Sequence, residues 1–177
     1  MQRPLAGVLA VVAALVGGGL VAGSPTAVAN TMAFVDDSND ARRGIDIERV
    51  RVNNGRRIVV TTTFEDLRRR PAGLTVYFDT RGPDRGPEYL VGGGIGGDSD
   101  WQAVRIENWA GDDAHLLLRC DSDLRVRYGR DTATYDIARR CFKRPGRVRV
   151  GVMSSGNRAS QRDWAPKPRR FYDWVLR

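Results

Sequence analysis

The chain has 177 residues, 41% of them hydrophobic, with 29 basic against 21 acidic side chains and a net charge of +8. Setting residues 1–29 aside as a leader, that length supports one domain with a real core and excludes two comfortable ones. Lys143 and Lys167 are the only lysines, and the arginine runs (Arg42-Arg43, Arg56-Arg57, Arg68 to Arg70, Arg139-Arg140, Arg169-Arg170) are scattered with acids between them. That scatter favours solvated turns over an anion-binding footprint, and without the single basic stripe of a nucleic-acid binder no nucleic-acid partner is expected.

In chain order, the first segment reads as an export signal. Arg3 gives a minimal positive start, Leu5 to Ala22 carries no charge, Ser24-Pro25 breaks any helix, and Ala27-Val28-Ala29 is a small-x-small cleavage pattern. The expected signal peptide is 1–29, and the mature, secreted protein begins at Asn30. The apolar run of about 18 residues only reaches the lower limit for a membrane span, and Gly17 to Gly19 weaken it further. With no Cys near the cut, no twin arginine and no second long apolar run, the exported chain is expected to be a soluble monomer without lipid or membrane anchor.

Residues 30–43 read as an acidic loop (Asp36-Asp37-Ser38-Asn39-Asp40) leading into a single domain over 44–177. Gly44-Ile45-Asp46-Ile47 alternates at the strand period, and Val50 and Val52 continue with shifted parity, which predicts a bulge near Glu48-Arg49. Asn53-Asn54-Gly55 predicts a hairpin, because Asn and Gly tolerate positive φ. The returning strand, Arg57 to Phe64, puts Ile58, Val60, Thr62 and Phe64 on one face. After Pro71-Ala72-Gly73 come Leu74 to Thr80, a loop, Glu88 to Val91, a mobile glycine connection at Gly92 to Gly97, and Trp101 to Trp109. Further strands are predicted at 115–120, 124–128, 132–137, 148–153 and 171–176, with one helical turn at Ala138 to Phe142. About nine short strands and no long helix predict an all-β fold, an antiparallel β-sandwich or jelly roll. Cys120 and Cys141, beside core-like residues in an exported chain, are expected to form a disulfide.

An acidic loop before Ile45-Asp46-Ile47, and Val76-Tyr77-Phe78-Asp79 leading to Gly86-Pro87-Glu88-Tyr89, resemble uncharacterised secreted actinobacterial proteins. More distantly the chain is similar to DOMON domains and family-9 carbohydrate-binding modules, including the terminal domain of glucodextranases. That resemblance implies a sandwich fold and an accessory sugar- or cofactor-binding role.

The chemistry-bearing residues are few. His115, the only histidine, would have to be the base of any Ser-His-Asp or Cys-His site, and no G-x-S-x-G elbow accompanies it. Asp79, Glu88 and Asp100 are candidate glycosidase carboxylates, whose action depends on a fixed separation. Calcium suits loop carboxylates better. Asp36, Ser38 and Asp40 imitate the start of an EF-hand loop, but Ala41 and Ile47 stand where Gly and Glu belong, which leaves two readings: a sandwich-type site drawing on Asp36, Asp40, Asp79 or Glu88, and ordinary Asx-turn chemistry. Gly92 to Gly97 lacks the Lys-Ser/Thr of a phosphate loop.

Trp and Tyr can stack on sugar rings while their polar edge stays wet. Trp164, in a proline-broken stretch, is the expected exposed platform, with Tyr89 and Trp174 as partners, whereas Trp101 and Trp109 fall in apolar strand patterns and are expected in the core. The resulting expectation is a secreted, non-catalytic binding module for a carbohydrate or cell-wall polymer, with calcium the one cofactor under consideration. The alternatives are an extracellular enzyme using loop carboxylates on a polysaccharide, and a secreted protein-binding or inhibitor domain.

Overall fold

The computed structural model describes residues 30–37, 39–82, 86–97, 100–111, 116–158 and 160–177. The expected signal peptide, Ser38 and His115 lie outside the described residues. The protein is an all-β sandwich of two antiparallel sheets. One sheet has the order β1 (Thr31–Val35), β2 (Ile47–Asn54), β3 (Arg57–Phe64), β9 (Thr132–Ala138), β8 (Ser122–Arg127). The other runs β11 (Arg162–Ala165), β10 (Arg147–Ser155), β4 (Gly73–Asp79), β5 (Tyr89–Gly94), β6 (Trp101–Arg105), β7 (Leu116–Leu117), and β12 (Val175–Leu176) pairs with β10.

The alternation in the sequence sets the inner faces. Along β3, Ile58, Val60, Thr62 and Phe64 are all buried and their neighbours are not, the period-2 pattern of a strand with one face on a core. Leu74, Val76 and Phe78 on β4 and Val148, Val150 and Val152 on β10 meet them from the other sheet. Tyr135, fully buried on β9, donates its hydroxyl to the Leu74 carbonyl at 2.8 Å. That bond ties the two sheets through the core, where an unpaired hydroxyl would be costly.

The bulge lies where the parity change puts it: the β2–β3 register shifts between Ile47 and Arg49. The hairpin after β2 is also present, but by a different device. Neither Asn54 nor Gly55 has a positive φ. Instead the Asn53 side chain accepts the Gly55 N–H at 3.0 Å, an Asx turn. Buried Asn54 donates to the Val175 carbonyl and accepts from Arg139.

Other elements depart from the sequence expectation. The loop expected over 30–43 begins as strand β1, pairing Thr31 through Val35 with Asn53 through Arg49. The glycine connection is largely strand: Gly92, Gly93 and Gly94 complete β5, and Ile95 is buried behind them. Glycine is needed there because a Cβ on Gly93 would collide with the backbone of Asp100 and Trp101, and one on Gly96 with the Arg70 carbonyl. Strands expected at 101–109 and 171–176 shorten to Trp101–Arg105 and Val175–Leu176. In the first case the Asn108 side chain accepts the Ala110 and Gly111 N–H groups and turns the chain.

Cys120 and Cys141 are bonded to each other, with Cα atoms 5.6 Å apart. The bridge ties the segment after β7 to a 3₁₀ turn, Arg139–Phe142, where one helical turn is expected from the sequence.

Candidate functional site

Three features of the surface bear chemistry. The first is an open cleft of about 470 Å³ at one end of the sandwich. Its walls come from three connections: residues 42–45 before β2, residues 66–72 between β3 and β4, and Gly156, Asn157 and Gln161 between β10 and β11. The walls are fixed by short-range contacts. Gly44 sits at φ +90°, which a side chain rarely adopts, and its Cα faces the Asp66 carbonyl. Buried Ser154 donates to the Ile45 carbonyl, and Gly156 and Gln161 are bridged by a backbone bond of 2.9 Å.

The cleft gathers two arginine runs that are far apart in sequence. Arg42, Arg43, Arg68 and Arg70 line it together, with the amides of Asn157 and Gln161. Arg43 pairs with Glu65 at 3.0 Å and Arg68 with Asp66 at 2.8 Å. Among the described residues, Arg42 and Arg70 make no ion pair. The scatter seen in the sequence is therefore undone here by the topology, which brings the two connections to the same end of the sandwich.

Beside the cleft lies a carboxylate cluster. Asp40, Asp46 and Asp163 can each present an oxygen so that all three lie within 4.8 Å of one another. Asp46 and Asp163 are buried. Asp163 accepts the Ile47 N–H at 2.6 Å, and Asp46 the Asn39 N–H at 2.8 Å. Asp36 adjoins the group and accepts from the Tyr172 hydroxyl at 3.3 Å. Burial, then the Asp163 and Asp40 carboxylates, push the Asp36 pKa up to about 7. Burial chiefly, with Asp40 and Asp46 adding, pushes Asp163 up to about 6.

The four residues expected for calcium do not converge on one place. Asp36 and Asp40 come together, but with Asp46 and Asp163. Asp79 and Glu88 are committed elsewhere. Asp79, fully buried, pairs with Arg149 at 2.7 Å and accepts the Arg81 and Gly82 N–H groups. Glu88 accepts from the backbone and hydroxyl of Thr80. Both anchor the turn after β4, and a metal would have to strip them of these donors. Asp100 is exposed.

The third feature is aromatic, on the outer face of the β11–β10–β4–β5–β6 sheet. Trp164 stacks on Tyr77 with centroids 5.6 Å apart, and Trp109 packs on Tyr77 and Phe171 at 5.0 and 4.5 Å. Val104 and Ile106 floor this patch. Trp164 is half-buried on β11, a strand that the sequence reading placed in an irregular stretch. Trp174 is also half-buried, with Arg147 and Arg149 over its ring at 4.2 and 4.6 Å. Tyr89 does not belong to the face. It is 3% exposed, stacked on Phe142 in the main core, because its position on β5 points inward, so it offers no ring to a ligand. Trp101, expected in the core, is instead 36% exposed on β6, its indole N–H 3.2 Å from the Ser122 hydroxyl.

Asp46 and Asp163 escaped the sequence reading. Asp46 sits in an alternating strand pattern that assigns it to the solvent side, and the available signal was an acid between two large apolar residues. Comparison with protein-family descriptions, curated proteins and solved structures finds no match.

Proposed function

We propose that this protein is a secreted, non-catalytic binding module for a carbohydrate or cell-wall polymer, and that the arginine cleft takes an acidic group of that polymer. The observation that carries the reading is the convergence of Arg42, Arg43, Arg68 and Arg70 with Asn157 and Gln161 on one open cleft. Its volume of about 470 Å³ is within the roughly 300–1,000 Å³ of small-ligand sites. A guanidinium donates two parallel hydrogen bonds to a carboxylate or phosphate, and neighbouring amides suit hydroxyls.

Arg42 and Arg70 make no ion pair with a carboxylate among the described residues, which leaves their guanidinium groups available to an anionic guest. The half-buried Trp164 adds sugar-stacking surface on the outer sheet face. The disulfide is compatible with an oxidising compartment. A glycan and cell-wall array probed with the purified protein tests the reading. Acidic polymers are expected to retain it above neutral ones, and retention by none would remove it.

A further inference from the structure

We propose that Asp40, Asp46 and Asp163, with Asp36 beside them, form a calcium site that fixes one wall of the arginine cleft. The inference stands whether or not the cleft binds a polymer. Calcium–oxygen distances run about 2.3–2.6 Å, so oxygens on opposite sides of one ion are about 4.6–5.2 Å apart. Three carboxylate oxygens within 4.8 Å of one another therefore fit in one coordination sphere.

A second observation points to a cation independently of the clustering. Asp46 is fully buried, and its Oδ1 has no hydrogen-bond partner, while Oδ2 is taken by the Asn39 N–H. The Asp36 Oδ2 is buried and unpartnered in the same way. Buried carboxylate oxygens cost stability unless a donor, an opposite charge or a metal meets them. Among the described residues, none of the four acids makes a salt bridge with Arg or Lys. A hard divalent ion meets the orphaned oxygens and offsets the mutual repulsion at once. Calcium suits the site because it accepts all-oxygen, irregular coordination of six to eight ligands, completed here by backbone carbonyls or water.

The consequence follows from chain order. Asp40 and Asp46 bracket residues 42–45, which form one cleft wall, and Asp163 belongs to β11, reached from Gln161 on the opposite wall. An ion held by all three would staple the segment before β2 to β11 across 117 sequence positions between Asp46 and Asp163.

Terbium(III), a luminescent calcium substitute, tests this on chelator-treated protein. Tyr172 touches Asp36 and Trp164 follows Asp163 in the chain, so excitation of these rings should sensitise a bound ion. The expected result is saturable emission at one ion per chain, abolished by calcium. Calcium at about a hundredfold excess over Kd should also raise Tm by about 5–10 °C.

Asp40→Asn changes an exposed side chain and is expected to keep the fold, checked by circular dichroism, while weakening both responses at least about tenfold in calcium concentration. Asp46→Asn should do the same. Emission that does not saturate with a Tm indifferent to calcium, or both variants titrating like the parent, overturns the site. Neither readout involves a polymer, so failure of the cleft reading leaves them unchanged.

Discussion

Replacing Cys120 and Cys141 by alanine should lower stability by about 3 kcal/mol. The two are separated by 21 positions, and closing a loop of that length removes about 3 kcal/mol of unfolded-state entropy in the chain-entropy model. Alanine is preferred to serine because Cys141 is buried against the main core, where a hydroxyl would add its own penalty of about 1–3 kcal/mol. For a chain of this size each kcal/mol moves Tm by about 2–4 °C, so the drop should be about 6–12 °C. Thermal melts of the parent, the double alanine variant and the parent under reductant measure it. Reduced parent and variant should fall by similar amounts. A Tm within about 2 °C of the parent would refute the reasoning, as would quantitative thiol labelling of the folded, unreduced protein.

Arg149→Met should cost about 3–5 kcal/mol in denaturant unfolding, because it strands the fully buried Asp79 carboxylate without its ion pair. Trp101→Ala should cost clearly less than the roughly 3–5 kcal/mol of a core Trp, since the ring is 36% exposed; a loss within that range would contradict its placement. Gly96→Ala should cost about 1–3 kcal/mol, because the added methyl meets the Arg70 carbonyl and overpacks the segment that carries one cleft wall. A melt unchanged from the parent would show that the segment yields freely.

Where the sequence was informative, local alternation settled the matter. Ile58, Val60, Thr62 and Phe64 share one face, and the parity shift around Glu48-Arg49 marks a bulge, because both are properties of neighbouring residues. The sandwich class followed from many short strands without a long helix. What escaped is non-local. Residues 31–35 look like a loop until β2 offers an edge to pair with, and Arg162–Ala165 becomes strand because β10 lies alongside.

The same limit governs the site. Asp79 and Glu88 read as free loop acids, but Arg149 and Thr80, brought by other strands and turns, claim them. Arg42-Arg43 and Arg68 to Arg70 read as scattered charge, and only sheet topology sets them around one cleft. Trp101 and Tyr89 share the inner face of their sheet, but Trp101 lies at its open edge beyond the two residues that β7 pairs, its indole reaching Ser122 of the facing sheet, whereas Tyr89 is covered by Phe142.

The central claim is that the cleft recognises an acidic polymer through its arginines. It is tested most directly by measuring the affinity of an acidic wall polymer for the parent, for Arg42→Ala/Arg70→Ala and for Trp164→Ala, each at low and high salt. The account expects parent affinity to fall steeply with salt, as screened charge contacts do. It also expects the arginine variant to lose at least about tenfold at low salt, equivalent to about 1.4 kcal/mol, with a flatter salt dependence, while Trp164→Ala loses less. Affinity indifferent to both salt and the arginine substitutions would contradict it.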